Sequence, residues 1–270
     1  MEDNVMDKIL IEAIRVAKLA GLKIKEIREN DGYDEYLKKG YELVTTADLI
    51  SDKIIKTEIS KVFPKHKFIS EESDIENSLI IKEPTWIIDP IDGTVGYANN
   101  HYQVAISIAY AIDNIVEVGV VHNPFLDETF YAVRGKGAFL NNHKIQIKSA
   151  NTLKQCVIGT GFPHNKENVD YIVETLRLVL PKIRDIRRLG SPALDICWVA
   201  CGRLQGFYEE KLSPWDVAAA KLIASEAKAT VGHYSLENSS ILPNCLNGYK
   251  VIVSSPGVFE ELKAILISVI

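Results

Sequence analysis

The chain has 270 residues, 47% of them hydrophobic and 25% charged, with a formal charge of −5 and four cysteines. That length allows one large domain or two fused halves with a sizeable core, and the negative charge argues against nucleic acid or an anionic membrane as the main partner. No run reaches the roughly 18 apolar residues that span a bilayer, the start Met1-Glu2-Asp3-Asn4 has no signal-peptide pattern, and the scattered cysteines predict reduced thiols in the cytoplasm.

Ile9, Ala13, Val16, Ala17, Ala20, Ile24 and Ile27 recur at helical spacing and predict a long amphipathic first helix. Residues 29 to 41 show no period and read as a charged loop. Thr45-Thr46-Ala47-Asp48 offers caps for a second helix that carries Leu49, Ile54, Ile55, Ile59 and Val62 and ends before Pro64. Asp48, in its first turn, suits the helix dipole. Phe68-Ile69 predicts a short strand running into Ser70-Glu71-Glu72-Ser73. Two adjacent glutamates at a strand end make either an exposed acidic turn or a pair of which one turns inward to a cation.

Trp86-Ile87-Ile88 is a buried-strand pattern that leads into Asp89-Pro90-Ile91-Asp92-Gly93-Thr94. Pro90 cannot donate to a ladder, so the strand is expected to end at Asp89. Asp92-Gly93 then bends the chain. Two carboxylates on such a corner suit a hard divalent cation. The N–H groups of Gly93 and Thr94 would suit a phosphate if they open a helix. The aspartyl-phosphate and EF-hand patterns fail here on spacing. Since Phe68-Ile69 also ends in acidic residues, the two strand ends could lie side by side.

A β meander follows over 104–112, 115–121, 129–133, 138–140 and 145–147, closing a first half near residue 150. The second half, 151–270, alternates strands and helices. It has a strand at Val157-Ile158, a helix over 166–180, a strand over 183–189 and a helix from Gly190-Ser191-Pro192 to Cys201. A strand over 204–209, a helix over 215–227, a strand over 250–253 and a last helix from Pro256 complete it. Asp216 falls in the first turn of the 215–227 helix. Arg184, Arg187 and Arg188 form either a solvated strand face or a phosphate contact. His101, His122, His143 and His164 fit no metal-ligand pattern, and Ser70 and Ser73 no nucleophilic triad.

Glu71-Glu72-Ser73, Trp86 to Thr94 and Trp215-Asp216 together resemble the inositol monophosphatase family. Leu43 to Asp48, Gly135-Lys136-Gly137-Ala138 and Gly190-Ser191 extend the likeness in the family's order over nearly the whole chain. The resemblance implies an α+β fold, a layered α-β-α-β-α sandwich with an antiparallel N-terminal sheet and an α/β C-terminal half. It further implies a cytoplasmic homodimer and lithium-sensitive, Mg²⁺-dependent hydrolysis of a phosphate monoester. By motif position, Glu71, Asp89 and the Ile91 carbonyl would hold one Mg²⁺, Asp89, Asp92 and Asp216 a second, and Glu71 would reach a third. Gly93 and Thr94 would bind phosphate, and Asp92, Ser191 and Glu209 would meet substrate hydroxyls. Asp48 would pair with Thr94 to activate water, and Lys38 or Lys39 falls near the family's flap lysine.

Ser213 replaces a histidine of the best-known animal members, and Thr160-Gly161-Phe162-Pro163 resembles bacterial ones. Substrates of the family's other branches therefore stay open beside inositol phosphates: fructose 1,6-bisphosphate, NADP(H) and 3′-phosphoadenosine nucleotides. A reading of a different class, a catalytically weak metal- and phosphate-binding regulator, would be signalled by a broken acidic set. Every expected carboxylate is present.

Overall fold

In the computed structural model the described residues are 2–30, 32–38, 40, 42–73, 80–163, 168–235 and 243–269. Helix α1 (Glu2–Glu29) buries the predicted stripe from Ile9 to Ile27. The segment read as a charged loop instead holds strands β1 (Glu35–Lys38) and β2 (Glu42–Thr45), an antiparallel pair. Neither strand buries a whole face, so no alternation marks them. Helix α2 (Thr46–Val62) follows, capped by Thr45.

Strands β3 (Lys67–Ser70) and β4 (Thr85–Asp92) pair in parallel, with Ser70 opposite Ile88. Their C-terminal ends therefore lie side by side, and the Glu71 N–H donates to the Ile88 carbonyl. β4 runs on to Asp92 rather than ending at Asp89, and its register against the next strand shifts between those two residues. Pro90 sits in that irregularity, where a missing N–H costs no ladder bond. A short helix α3 (Thr94–Ala98) leads to the meander β5 (Ala105–Ile112), β6 (Ile115–Asn123), β7 (Glu128–Val133), β8 (Ala138–Leu140) and β9 (His143–Ile145). β9 lies slightly earlier than the predicted 145–147. The seven strands form one sheet in chain order, antiparallel except for β3 on β4.

The second sheet takes β10 (Val157–Thr160), β11 (Asp185–Arg187), β12 (Gly206–Glu209), β13 (Thr230–His233) and β14 (Val251–Ser254), in the order β11-β10-β12-β14-β13. β11, β10 and β12 are parallel, whereas β14 runs against both of its neighbours. β13 has no counterpart among the predicted strands, since all four of its residues are half-exposed. Strands β11 and β12 are shorter than predicted. Helices α4 (Val169–Val179), α5 (Pro192–Ala200), α6 (Pro214–Glu226) and α7 (Phe259–Ile267) complete the chain. Residues 166 and 167 of the predicted 166–180 helix lie outside the described residues.

Three apolar clusters define five layers. α1 and α2 pack on the Trp86, Ile88 and Ile106 face of the first sheet. α5 and α6 fill the space between the sheets, against Ile87, Phe207 and Val253. α7 covers the far face of the second sheet with Ile158 and Ile252, and Val179 at the end of α4 joins that cluster. The layered sandwich implied by the resemblance is present. Because α6 faces a sheet on each side, it is buried nearly all round. A Cβ on Gly119 of β6 would sit 2.7 Å from the Ala219 carbonyl, so only glycine allows the helix this close.

Candidate active site

Three carboxylates converge where β4 ends and α6 begins. Ile87 faces the inner helices, so by the period of two Asp89 shares its face. Beyond the register shift Asp92 joins it, and Asp216 comes from the first turn of α6. Oxygens of Asp89, Asp92 and Asp216 lie within 4.8 Å of one another. Two bonds fix α6 in place: the Ser107 hydroxyl, on the residue opposite Asp89, donates to the Trp215 carbonyl at 3.1 Å, and the Ser213 N–H donates to Asp216 at 2.6 Å.

Burial makes this cluster costly when charged. Desolvation, then the Asp216 charge, pushes Asp92 up to about 8. Burial pushes Asp216 up to about 6. Glu71, just past β3, lies against Asp89; burial and then the Asp216 charge raise Glu71 well above the usual carboxylate range, and burial and then the Glu71 charge raise Asp89 likewise. Two charges 4.8 Å apart repel by roughly 3–4 kcal/mol even at an effective dielectric of about 20. The donor set is all oxygen, preorganised and short of positive charge, which fits a hard divalent cation.

Thr94 opens α3 beside this cluster. Its hydroxyl lies 3.0 Å from Asp48 Oδ1 and 3.1 Å from the Ile91 carbonyl. Asp48 Oδ2 accepts from the N–H and hydroxyl of Thr45, at 2.7 and 2.6 Å. One carboxylate thus caps α2 through one oxygen and meets Thr94 through the other. It is 1% exposed, and burial pushes its pKa up to about 6.

Glu71, Asp89, Ile91, Asp92, Gly93, Thr94, Glu209 and Asp216 all line one cleft of about 300 Å³. Asp48 stands behind Thr94. Ser191 is fully buried behind Asp92, to which its hydroxyl donates at 2.5 Å, with the Ala193 N–H adding a second bond at 2.8 Å. The residue expected at a substrate hydroxyl thus orients a carboxylate instead. Burial, then the Asp216 charge, raises Glu209. Lys38 pairs with Glu72, while Lys39 and His164 lie outside the described residues. Of the arginines, Arg187 pairs with Asp185 and Arg188 reaches the cleft. All four cysteines are free.

A model of the inositol monophosphatase family matches residues 5–268. The chain belongs to the inositol monophosphatase family. It is 39% identical over 232 residues to a protein of Solanum lycopersicum named inositol monophosphatase 2, covering 84% of this chain and 87% of that one. It is 35% identical over 255 residues to the Nus factor SuhB of Vibrio cholerae, covering 92% and 95%. The solved extragenic suppressor protein suhB of Bartonella henselae superposes with a TM-score of 0.86 at 32% identity, over 96% of this chain and 98% of that one. The family is of phosphatase type and generally metal-dependent, in keeping with the acidic cluster. No helix among the described residues is long and apolar enough to cross a membrane.

Family membership leaves some supporting residues to the structure. Buried Ser70 donates to Asp52 at 2.5 Å, and Lys56 bonds both Asp52 and Ser73, at 2.7 and 2.6 Å. This network ties the Glu71-Glu72 turn to α2. The spacing of Asp52 and Lys56 on one helix face was the available signal. Asp195, buried on α5, is raised by burial and then by the Asp92 charge. An acid within the apolar run of α5 was its only mark.

Proposed function

We propose that the chain hydrolyses phosphate monoesters of sugars and polyols in a Mg²⁺-dependent reaction, with myo-inositol monophosphate as a substrate. The observation that carries this reading is the buried Asp89, Asp92 and Asp216 cluster opening on the same cleft as Thr94. Glu71, Asp89 and the Ile91 carbonyl would hold one Mg²⁺, Asp89, Asp92 and Asp216 a second, with Glu71 reaching a third. Bound there, the metal supplies charge neutralisation and a lower pKa for water.

The protein's own groups do the rest. The N–H groups of Gly93 and Thr94 donate to the phosphate. Asp48 accepts the Thr94 proton, which turns the threonine oxygen toward the attacking water as an acceptor. Glu71 helps to hold that water. Asp92, oriented by Ser191 and Ala193, and Glu209 accept from substrate hydroxyls. A homodimer in the cytoplasm completes the proposal.

The test is phosphate release from inositol 1-phosphate. Release should need Mg²⁺, stop on chelation, return on adding Mg²⁺ back and fall with Li⁺. Equal release from thoroughly chelated enzyme would sink the proposal.

A further inference from the structure

The reach of Thr94 to Asp48 depends on where α3 stands, and α3 has only five residues. A helix this short does not hold itself together in water. Its N-cap is Gly93, which offers no side-chain cap. The pose of α3, and with it the 3.0 Å approach of the Thr94 hydroxyl to Asp48, is therefore set from outside the helix.

The far end of α3 is fastened to the end of α1. Tyr97 is fully buried, and its hydroxyl donates to the Ile24 carbonyl at 2.7 Å. The Tyr33 hydroxyl, just past α1, donates to the Ala98 carbonyl at 3.1 Å. Arg28, in the last turn of α1, makes a third link. Its Nη1 donates to the His101 carbonyl at 2.7 Å, and the His101 N–H donates to the Gly96 carbonyl of α3 at 2.9 Å.

The surroundings of Arg28 are unusual for a cation. It is 8% exposed, and among the described residues no ion pair reaches it. Its Cζ lies 3.3 Å from the centre of the Phe125 ring, in the turn between β6 and β7, 5.5 Å from that of Tyr97 and 6.0 Å from that of Tyr102. Burial pushes its pKa down, and the nearby tyrosines oppose this. A buried charge without a counter-charge is costly. Here one carbonyl and three ring faces offset that cost, at the place where α1, the loop after α3 and the β6–β7 turn meet. Arg28 itself does not line the cleft.

We propose that Arg28, held in this aromatic box, is a positioning residue that locks α3 so that the Thr94 hydroxyl stays against Asp48. This rests on the phosphatase reading above and adds a remote residue to the same site. Arg28 acts through Thr94 and touches neither substrate nor water in the cleft.

The experiment measures kcat for phosphate release from myo-inositol 1-phosphate at saturating Mg²⁺. Arg28→Ala, Arg28→Lys and Phe125→Leu are each compared in the wild-type and the Thr94→Ala background. Arg28→Ala should lower kcat by about 10- to 100-fold, the scale of a misplacement of about 1 Å at a reacting group. Arg28→Lys should regain part of this, because an ammonium keeps the charge that the rings attract. Phe125→Leu should lose less, in the same direction. In the Thr94→Ala background each change should cost less than about threefold, because the group through which Arg28 acts is gone. Every folded variant should keep the wild-type rise in melting temperature with Mg²⁺, since Asp89 and Asp92 stand on β4 and Asp216 on α6. Should Arg28→Ala fail to fold, Arg28→Lys and Phe125→Leu carry the same comparison. A wild-type kcat, an equal loss with and without Thr94, or a lost response to Mg²⁺ overturns the positioning role and leaves the phosphatase reading standing. No Mg²⁺-dependent release from the wild type overturns both.

Discussion

Asp48 gives the sharpest test, because its two oxygens separate two roles. Oδ2 caps α2 through Thr45, and Oδ1 meets the Thr94 hydroxyl at 3.0 Å. If Asp48 only capped the helix, Asp48→Asn would cost about 1 kcal/mol of stability and little turnover. If it takes the Thr94 proton, the loss falls on the rate: general-base assistance is worth about 10²–10⁴, or roughly 3–5 kcal/mol of barrier. Stability should move the other way. Burial holds the folded carboxyl protonated up to about pH 6, whereas the unfolded chain ionises it near 3.8. The unfolded state therefore binds fewer protons between those values, and folding loses up to roughly 3 kcal/mol as pH rises through that window. The amide escapes this cost. Asp48→Asn should unfold in urea at pH 7.5 no more easily than wild type, while kcat for phosphate release falls by at least about 100-fold. Thr94→Ala should lose a similar amount, and the double variant little more than either, since the pair acts as a unit. Additive losses, or an Asp48→Asn enzyme that keeps kcat within about threefold and is merely less stable, would refute the reasoning.

Mg²⁺ should raise the melting temperature of wild type, by about 2.7 kcal/mol of linkage at a hundredfold excess over Kd; Asp92→Asn should lose most of this rise together with activity, and an unchanged rise would remove Asp92 from the metal site. Glu209→Gln should reorder preference among polyol phosphates with the Mg²⁺ requirement unchanged. Gly161→Ala should do the same, because its Cβ would lie 2.0 Å from Glu209 Oε2 and must push that carboxylate aside; a uniform loss with a raised Mg²⁺ requirement would place Glu209 among the ligands. His122, 4% exposed and bonded to Thr129, is pushed down to about 4 by burial and then by Lys18, with Asp127 opposing. The unfolded chain takes up this proton near pH 6.5 and the folded one resists it, so stability should fall by roughly 3 kcal/mol as pH drops from 6.5 toward 4. Urea unfolding of His122→Gln should lack that part of the slope, and an identical slope would refute the assignment.

The legible part of the fold was the part with a period. The α1 stripe lies on one helix face and is buried as spaced, because a single face meets a single sheet. β1, β2 and β13 bury no complete face, so nothing in their residues alternates. Pro90 misled for a related reason. It does lack a ladder bond, but the strand absorbs that defect as a register shift and continues to Asp92. A rule about one donor cannot tell a strand end from a bulge, since both leave the same N–H unneeded.

Within the cleft the same division holds. Asp89, Asp92, Gly93 and Thr94 were visible because they follow one another on a corner, and chain neighbours are space neighbours by necessity. Asp48 with Thr94 came only from the family resemblance, since no spacing joins them, and Ser191 with Asp92 and Arg188 with the cleft are brought together by the layered packing alone. The inner helices set them: α6 approaches β6 at Gly119, Ser107 locks its first turn, and the start of α5 presents Ser191 and the Ala193 N–H to Asp92. These donors have a consequence for Ser191. Its hydroxyl and the Ala193 N–H both lower the Asp92 pKa, against the larger effect of burial. They help Asp92 to stay ionised for a cation without adding positive charge that would compete with one. A serine in this position is thus better placed to tune a carboxylate than to greet a substrate, a distinction that residue type and spacing could not supply.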